Sequence, residues 1–180
     1  MLNEVEILDE ELLDVIIERL CHELIEKHND FNNSVLVGLQ PRGTFLNKRI
    51  IKKIKILFPK IRILSGNIDF SFYRDDLMTR EIPLVPQVMD INFSLEDRDI
   101  ILIDDVLFTG RSVRSAMDAV ISFGRPKSVE LLTLIDRMFS RDLPIQPNYV
   151  GKKINIIESE KVIVEWKEQQ GIDRVIIRKL

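Results

Sequence analysis

The stretch Ile100-Ile101-Leu102-Ile103-Asp104-Asp105-Val106-Leu107-Phe108-Thr109-Gly110-Arg111-Ser112-Val113 decides how the rest of the chain is read. Four consecutive apolar residues suit a strand covered on both faces. Two adjacent carboxylates follow at its carboxyl end. A turn with Thr109 and Gly110 then opens a helix expected over 111–123, closed by Gly124 at its C′ position with Pro126 just beyond.

Outward from this segment, strands and helices alternate. Residues 34–39 (SVLVGL) and 129–135 are two more short apolar runs, and 61–72 and 84–91 read as strands around a polar stretch at 73–81. Segment 10–28 carries Leu12, Leu13, Ile16, Ile17, Leu20, Leu24 and Ile25 at helical spacing, with Asp9 as N-cap. A helix over 44–57 turns Leu46, Ile50, Ile54 and Leu57 inward and Lys48, Lys52, Lys53 and Lys55 outward, most simply as a solvated face. Beyond Asp136 the pattern weakens, with short strands expected at 161–166 and 173–178. Strand–helix alternation with apolar strands predicts an α/β fold with a mainly parallel sheet flanked by helices. With no repeat and no linker, residues 1–180 read as a single domain.

Composition narrows the function classes. The 180 residues are 45% hydrophobic and 31% charged, enough for a sizeable core, and seven Gly and seven Pro argue against disorder. A net charge of −3 gives no support for bulk coating of nucleic acid. The single cysteine, Cys21, excludes an intrachain disulfide and a multi-cysteine zinc site, and its helical neighbours predict a packed thiol. The acidic N-terminus lacks the charge pattern of a signal peptide, and no run approaches the roughly 18 apolar residues of a membrane span. The expectation is a soluble, cytoplasmic chain.

The chemistry is concentrated at 104–112. In open α/β sheets, ligands bind beyond the carboxyl ends of the strands. A helix N-terminus offers unpaired N–H groups and positive dipole to a phosphate, Thr109 and Ser112 add hydroxyls, and Gly110 lets the backbone approach. The two acids would repel a phosphate, but beside a ribose they accept hydrogen bonds from its vicinal hydroxyls. The physical reading is therefore a ribose-5-phosphate cradle. In the plain structural alternative, Asp104 and Asp105 merely end a strand and Thr109 caps a helix.

IILIDDVLFTGRSV also resembles the phosphoribosyl-pyrophosphate (PRPP) signature of the type I phosphoribosyltransferases. The likeness is closest to the bifunctional pyrimidine-operon regulator/uracil phosphoribosyltransferase family. It runs through ILDEE, LVGLQPRG, IDFSFYRDDL, SAMDAV, FGRPKSVELLTLIDR, DLPI, YVGKK and SEKV. The resemblance implies that family's fold, with a small hood over the sheet, and transfer of a phosphoribosyl group from PRPP to uracil, giving UMP and pyrophosphate. Mg²⁺ would be bound mainly through PRPP, with no dedicated metal ligands, and the chain would form a homodimer or higher homo-oligomer.

Carried onto this sequence, the resemblance makes Asp104 and Asp105 the ribose-binding acids. Val106, Leu107, Phe108, Thr109, Gly110, Arg111 and Ser112 wrap the 5-phosphate. Pro41, Arg42 and Gly43 form the pyrophosphate loop, and Tyr73-Arg74-Asp75-Asp76 matches a flexible loop closing over the reacting centre. Arg137 and Val162 border the base. Arg42 and Arg74, with Mg²⁺, would stabilise the leaving pyrophosphate. The pyrophosphate loop of such enzymes often holds a cis peptide; here an Xaa–Pro bond lowers its cost by about 2 kcal/mol, which predicts a cis Gln40–Pro41 bond.

The family's second activity is binding the leader of pyrimidine-operon mRNA, and here the sequence departs. Arg19 and His22 remain on the first helix, beside Glu18 where a neutral hydroxyl residue is common. After Arg137, where the family usually reads Gly-His-Arg-Glu-Leu-Pro-Ile-Arg, this chain has Met138-Phe139-Ser140-Arg141-Asp142-Leu143-Pro144-Ile145-Gln146. It is one residue longer and lacks the histidine and the last arginine. Lost cationic donors weaken phosphate contacts, which lowers the expectation of RNA binding. The alternative is an RNA-binding attenuator that senses nucleotides with little or no turnover. A phosphoacceptor receiver domain fits less well, being shorter with its acidic pair near the chain start.

Overall fold

The computed structural model describes residues 4–73, 90–157 and 159–179. Its apolar runs form a five-stranded parallel sheet of β2 (Ser34–Leu39), β3 (Leu64–Ile68), β4 (Asp99–Leu107), β5 (Ser128–Arg137) and β6 (Tyr149–Ile154), in the order β3-β2-β4-β5-β6. Every residue of β2 is buried, as a strand covered on both faces requires. The two faces divide by the period of two. Leu36, Ile101 and Ile103 point into a cluster with α1 (Glu10–His28) and α2 (Gly43–Leu57), while Val35, Val37, Ile100 and Leu102 meet α3 (Arg111–Ile121).

A second, antiparallel sheet joins β1 (Glu4–Leu8), β7 (Glu160–Glu165) and β8 (Arg174–Lys179) in the order β1-β8-β7. This is the small hood. It is fastened to the main body by Arg49 of α2, which bonds Asp173 and Glu168 and lies 4.8 Å from the ring centre of buried Trp166. A short helix, α4 (Lys167–Gln170), links β7 to β8.

Local signals decide where elements begin and end. Asp9 caps α1 as expected, its carboxylate accepting the Leu12 amide at 2.8 Å. Leu12 itself is exposed rather than part of the buried stripe, and Cys21 is fully buried. Lys53, expected in solvent, instead reaches Asp14 and Glu18 on α1. The strand expected over 61–72 is confined to β3, because Asp69 accepts the Ser71 amide in a local turn that leads into a 3₁₀ turn at Ser71–Tyr73. The strand expected over 84–91 lies outside the described residues except for Asp90 and Ile91, which are not in a strand.

Helix α3 ends at Ile121 with Ser122 as its C-cap, two residues short of the expected end. Gly124 is not the C′ residue; its positive φ of 136° carries the chain past Glu96, whose carboxylate accepts the Arg125 amide. Strands β1 and β6 have weak patterns and were not anticipated. The β1 residues are largely exposed on an edge, and β6 is short and mixed in polarity.

Candidate functional site

The chain runs from β2 through α2 to β3 on one side, and from β4 through α3 to β5 on the other. The switch point of the sheet therefore lies between β2 and β4, where helices leaving on opposite faces open a crevice. Pairing of β2 with β4 stops at Gly38–Ile103, yet β4 stays paired to β5 as far as Leu107–Asp136. Asp104 and Asp105 thus lie inside a longer strand than the apolar run alone suggested. Continuing that register, Asp104 stands level with Leu39, the last residue of β2, and Asp105 level with the start of the Gln40–Gly43 loop.

That loop carries the peptide geometry expected of it. The Gln40–Pro41 bond is cis. Gly43 opens α2 against β4, and a Cβ there would stand 2.2 Å from the Ile103 carbonyl oxygen and 3.1 Å from Asp104 Cα. Only glycine lets the loop press this closely on the acidic pair. Arg42 donates from Nε to Asp105 at 2.8 Å and from a terminal nitrogen to the Val164 carbonyl of β7. One side chain therefore joins loop, acid pair and hood.

Asp104 is partly exposed, and one of its carboxylate oxygens accepts the Asp105 amide at 2.9 Å. Burial, and then the neighbouring Asp105 carboxylate, push Asp104 well above the usual carboxylate range. Burial also raises Asp105, opposed by the Arg42 guanidinium. Beyond the pair, residues 106–113 and Asp104 line a cavity of about 300 Å³ at the start of α3. Gly110, with φ 91°, is the residue before the helix, and a side chain there would meet Ile145 at 3.3 Å.

Arg137 and Val162, the two residues expected to border a base, are placed differently from one another. Arg137 ends β5 and is only 5% exposed. Its guanidinium lies 3.9 Å from the ring centre of Phe108, and Nε and one terminal nitrogen have no protein acceptor. Burial lowers its pKa. Val162 lies on β7, with its side chain in the apolar cluster under the hood. Arg74 and the loop after Tyr73 lie outside the described residues. Arg141 and Asp136 were not singled out as site residues, although Arg141 bonds the carbonyls of Leu107, Phe108, Arg137 and Ile145 and pairs with Asp136. An arginine four residues beyond a buried strand end was the only hint.

The crevice at the switch point brings an acidic pair, a helix-start cavity and an arginine-bearing loop together, groups suited to a sugar phosphate. Residues 5–169 match the family described as the phosphoribosyl transferase domain. The chain is 42% identical over 174 residues to the Bifunctional protein PyrR of Bacillus subtilis, covering 95% of this chain and 94% of that protein. It is 38% identical over 179 residues to the PyrR of Clostridioides difficile, covering 99% and 100% respectively. It belongs to the phosphoribosyltransferases and, within them, to the family of bifunctional PyrR proteins.

Solved structures share the fold at lower identity. A hypoxanthine phosphoribosyltransferase of Staphylococcus aureus superposes with a TM-score of 0.72 at 23% identity, covering 98% of this chain and 92% of that one. One from Trypanosoma cruzi gives 0.73 at 14% identity, covering 97% and 95%. Among the described residues, no helix is long and apolar enough to cross a membrane.

Proposed function

We propose that this chain transfers the phosphoribosyl group of PRPP to uracil, releasing pyrophosphate and forming UMP. The observation that carries the reading is the juxtaposition of Asp104 and Asp105 with the cavity at 106–113 on one side and the Arg42 turn on the other. A ribose seated over the acids would place its 5-phosphate in the cavity and its C1 substituent toward Arg42. The bond from C1 to the pyrophosphate oxygen breaks and a bond from C1 to N1 of uracil forms, with the N1 proton released. Positive charge grows on the sugar ring beside the carboxylates as negative charge grows on the pyrophosphate.

Arg42, once exchanged from Asp105 onto the departing group, supplies the cation there, joined in our reading by Arg74. Arg137, buried with donors unmet, suits the carbonyl oxygens of uracil, and Val162 supplies an apolar edge from the hood. The oxygen donors Asp104 and Asp105 are of the type that suits Mg²⁺, which keeps several waters and binds substrate phosphates readily. Carried in on PRPP, it would supply charge neutralisation to the pyrophosphate. Among the described residues no group of three or more His, Cys, Asp or Glu forms a metal cage.

We take residues 1–180 as one working domain, acting as a cytoplasmic homo-oligomer. Relatives named as bifunctional support a pyrimidine-linked regulatory role beside the transfer. The test is an assay for UMP and pyrophosphate dependent on PRPP, Mg²⁺ and uracil, with hypoxanthine as the competing acceptor. Native turnover with uracil, lost in Asp104→Asn/Asp105→Asn, is the expected result. Turnover with hypoxanthine alone would overturn the base assignment, and failure to bind PRPP would overturn the site.

A further inference from the structure

Three consecutive carbonyls at the end of β4 are tied to one neighbouring segment. The Leu107 oxygen accepts from Arg141 Nη1 at 3.4 Å, and the Phe108 oxygen accepts from the same nitrogen. The Thr109 oxygen accepts the backbone amides of Asp142 at 3.0 Å and Leu143 at 3.2 Å. In a planar trans peptide the N–H points opposite the C=O. The amides of Phe108, Thr109 and Gly110 are therefore turned away from 141–143. The cavity at the start of α3 has Asp104 and residues 106–113 as its walls, so the segment that carries these amides borders it.

We infer that Arg141 is a positioning residue for the 5-phosphate of the phosphoribosyl substrate: it holds the carbonyls of the phosphate loop so that the loop's amides face the cavity before substrate arrives. The inference rests on the proposed phosphoribosyl site. All three guanidinium nitrogens of Arg141 have protein acceptors. Nε bonds the Ile145 carbonyl at 3.0 Å, Nη1 also bonds the Arg137 carbonyl at 2.9 Å, and Nη2 pairs with Asp136. Ile145, fixed in this way, covers Gly110. A planar fork is needed to reach acceptors in several directions, so lysine would not substitute. Pre-set amide donors lower the cost of ordering the loop on binding.

The experiment is calorimetric titration of PRPP, ribose 5-phosphate and pyrophosphate into the native protein, Arg141→Lys, Arg141→Gln and Asp136→Asn, with melting curves for each. Expected is about tenfold weaker binding of PRPP and ribose 5-phosphate in all three variants, the loss of roughly one charge-assisted hydrogen bond. Pyrophosphate affinity stays at the native value, because the Arg42 turn makes none of these bonds. In turnover, KM for PRPP rises while kcat at saturation holds. An Arg141→Gln/Asp136→Asn double variant binds no worse than either single one, since both act through one pair. Unchanged ribose 5-phosphate binding overturns the inference, as does an equal loss for pyrophosphate, which would mark a merely structural arginine. A native protein that binds neither PRPP nor ribose 5-phosphate overturns the site reading and this inference with it.

Discussion

Asp104 and Asp105 hold protons in the folded protein at pH values where the unfolded chain releases them, because burial raises both carboxyls and the Asp105 charge raises Asp104 further. Whatever stability the protonated pair allows is present at low pH and lost as pH rises through those raised values. Removing the charge should stabilise the substrate-free protein. We expect Asp104→Asn to raise the melting temperature near neutral pH by about 2–4 °C, equivalent to about 1 kcal/mol, while abolishing transfer. Scanning calorimetry beside the UMP assay checks both halves; a lower melting temperature would contradict the sign. Cys21 gives a simpler prediction at the same scale. Its thiol is fully buried and pushed up to about 12 by that burial, so a thiol reagent should label it only after denaturation.

Among the elements, α2 and β4 are set by a contact no larger than a hydrogen atom. The close approach of Gly43 to the Ile103 carbonyl seats the Arg42 turn on the acid pair. Gly43→Ala must move the start of α2, at a cost of about 1–3 kcal/mol from overpacking. A lowered urea midpoint measures this, and PRPP affinity should fall with it. The cis Gln40–Pro41 bond was legible because an Xaa–Pro pair stands in a recognisable loop. The extent of β4 was not. Residues 104–107 lack a run of apolar side chains, and they stay in the strand because β5 continues to pair with them. The end of α3 was missed for a related reason: Gly124 looks like a helix stop, but its place is set by the turn around Glu96.

For the whole molecule, the hood packs on the main body through a shared apolar cluster, and two arginines of the β2–α2 unit tie the two together. Arg42 reaches Val164, and Arg49 holds Asp173, which is almost fully buried. Removing Arg49 leaves the buried Asp173 carboxylate without a cation, holding only the Lys167 amide at 2.8 Å; breaking a buried pair ordinarily costs about 3–5 kcal/mol, here reduced by that amide and because Arg49 is itself partly exposed. In Arg49→Ala we expect hydrogen exchange to quicken through β7 and β8 while the amides of β2, β4 and β5 keep native protection. Uniform acceleration across both sheets would show instead that hood and core open as one unit.

Local sequence is enough to specify the central strands, the helices α1 and α2, the start of α3, the buried cysteine and the acid–turn–helix segment. Each of these follows from local periodicity, capping and the backbone needs of one short stretch. The edge strands β1 and β6, the true reach of β4, and the contacts of Arg141, Asp136 and Arg49 exist only in the assembled fold. Those depend on pairings between residues far apart in the chain, where a carbonyl or carboxylate becomes an acceptor only once the fold has brought a guanidinium to it.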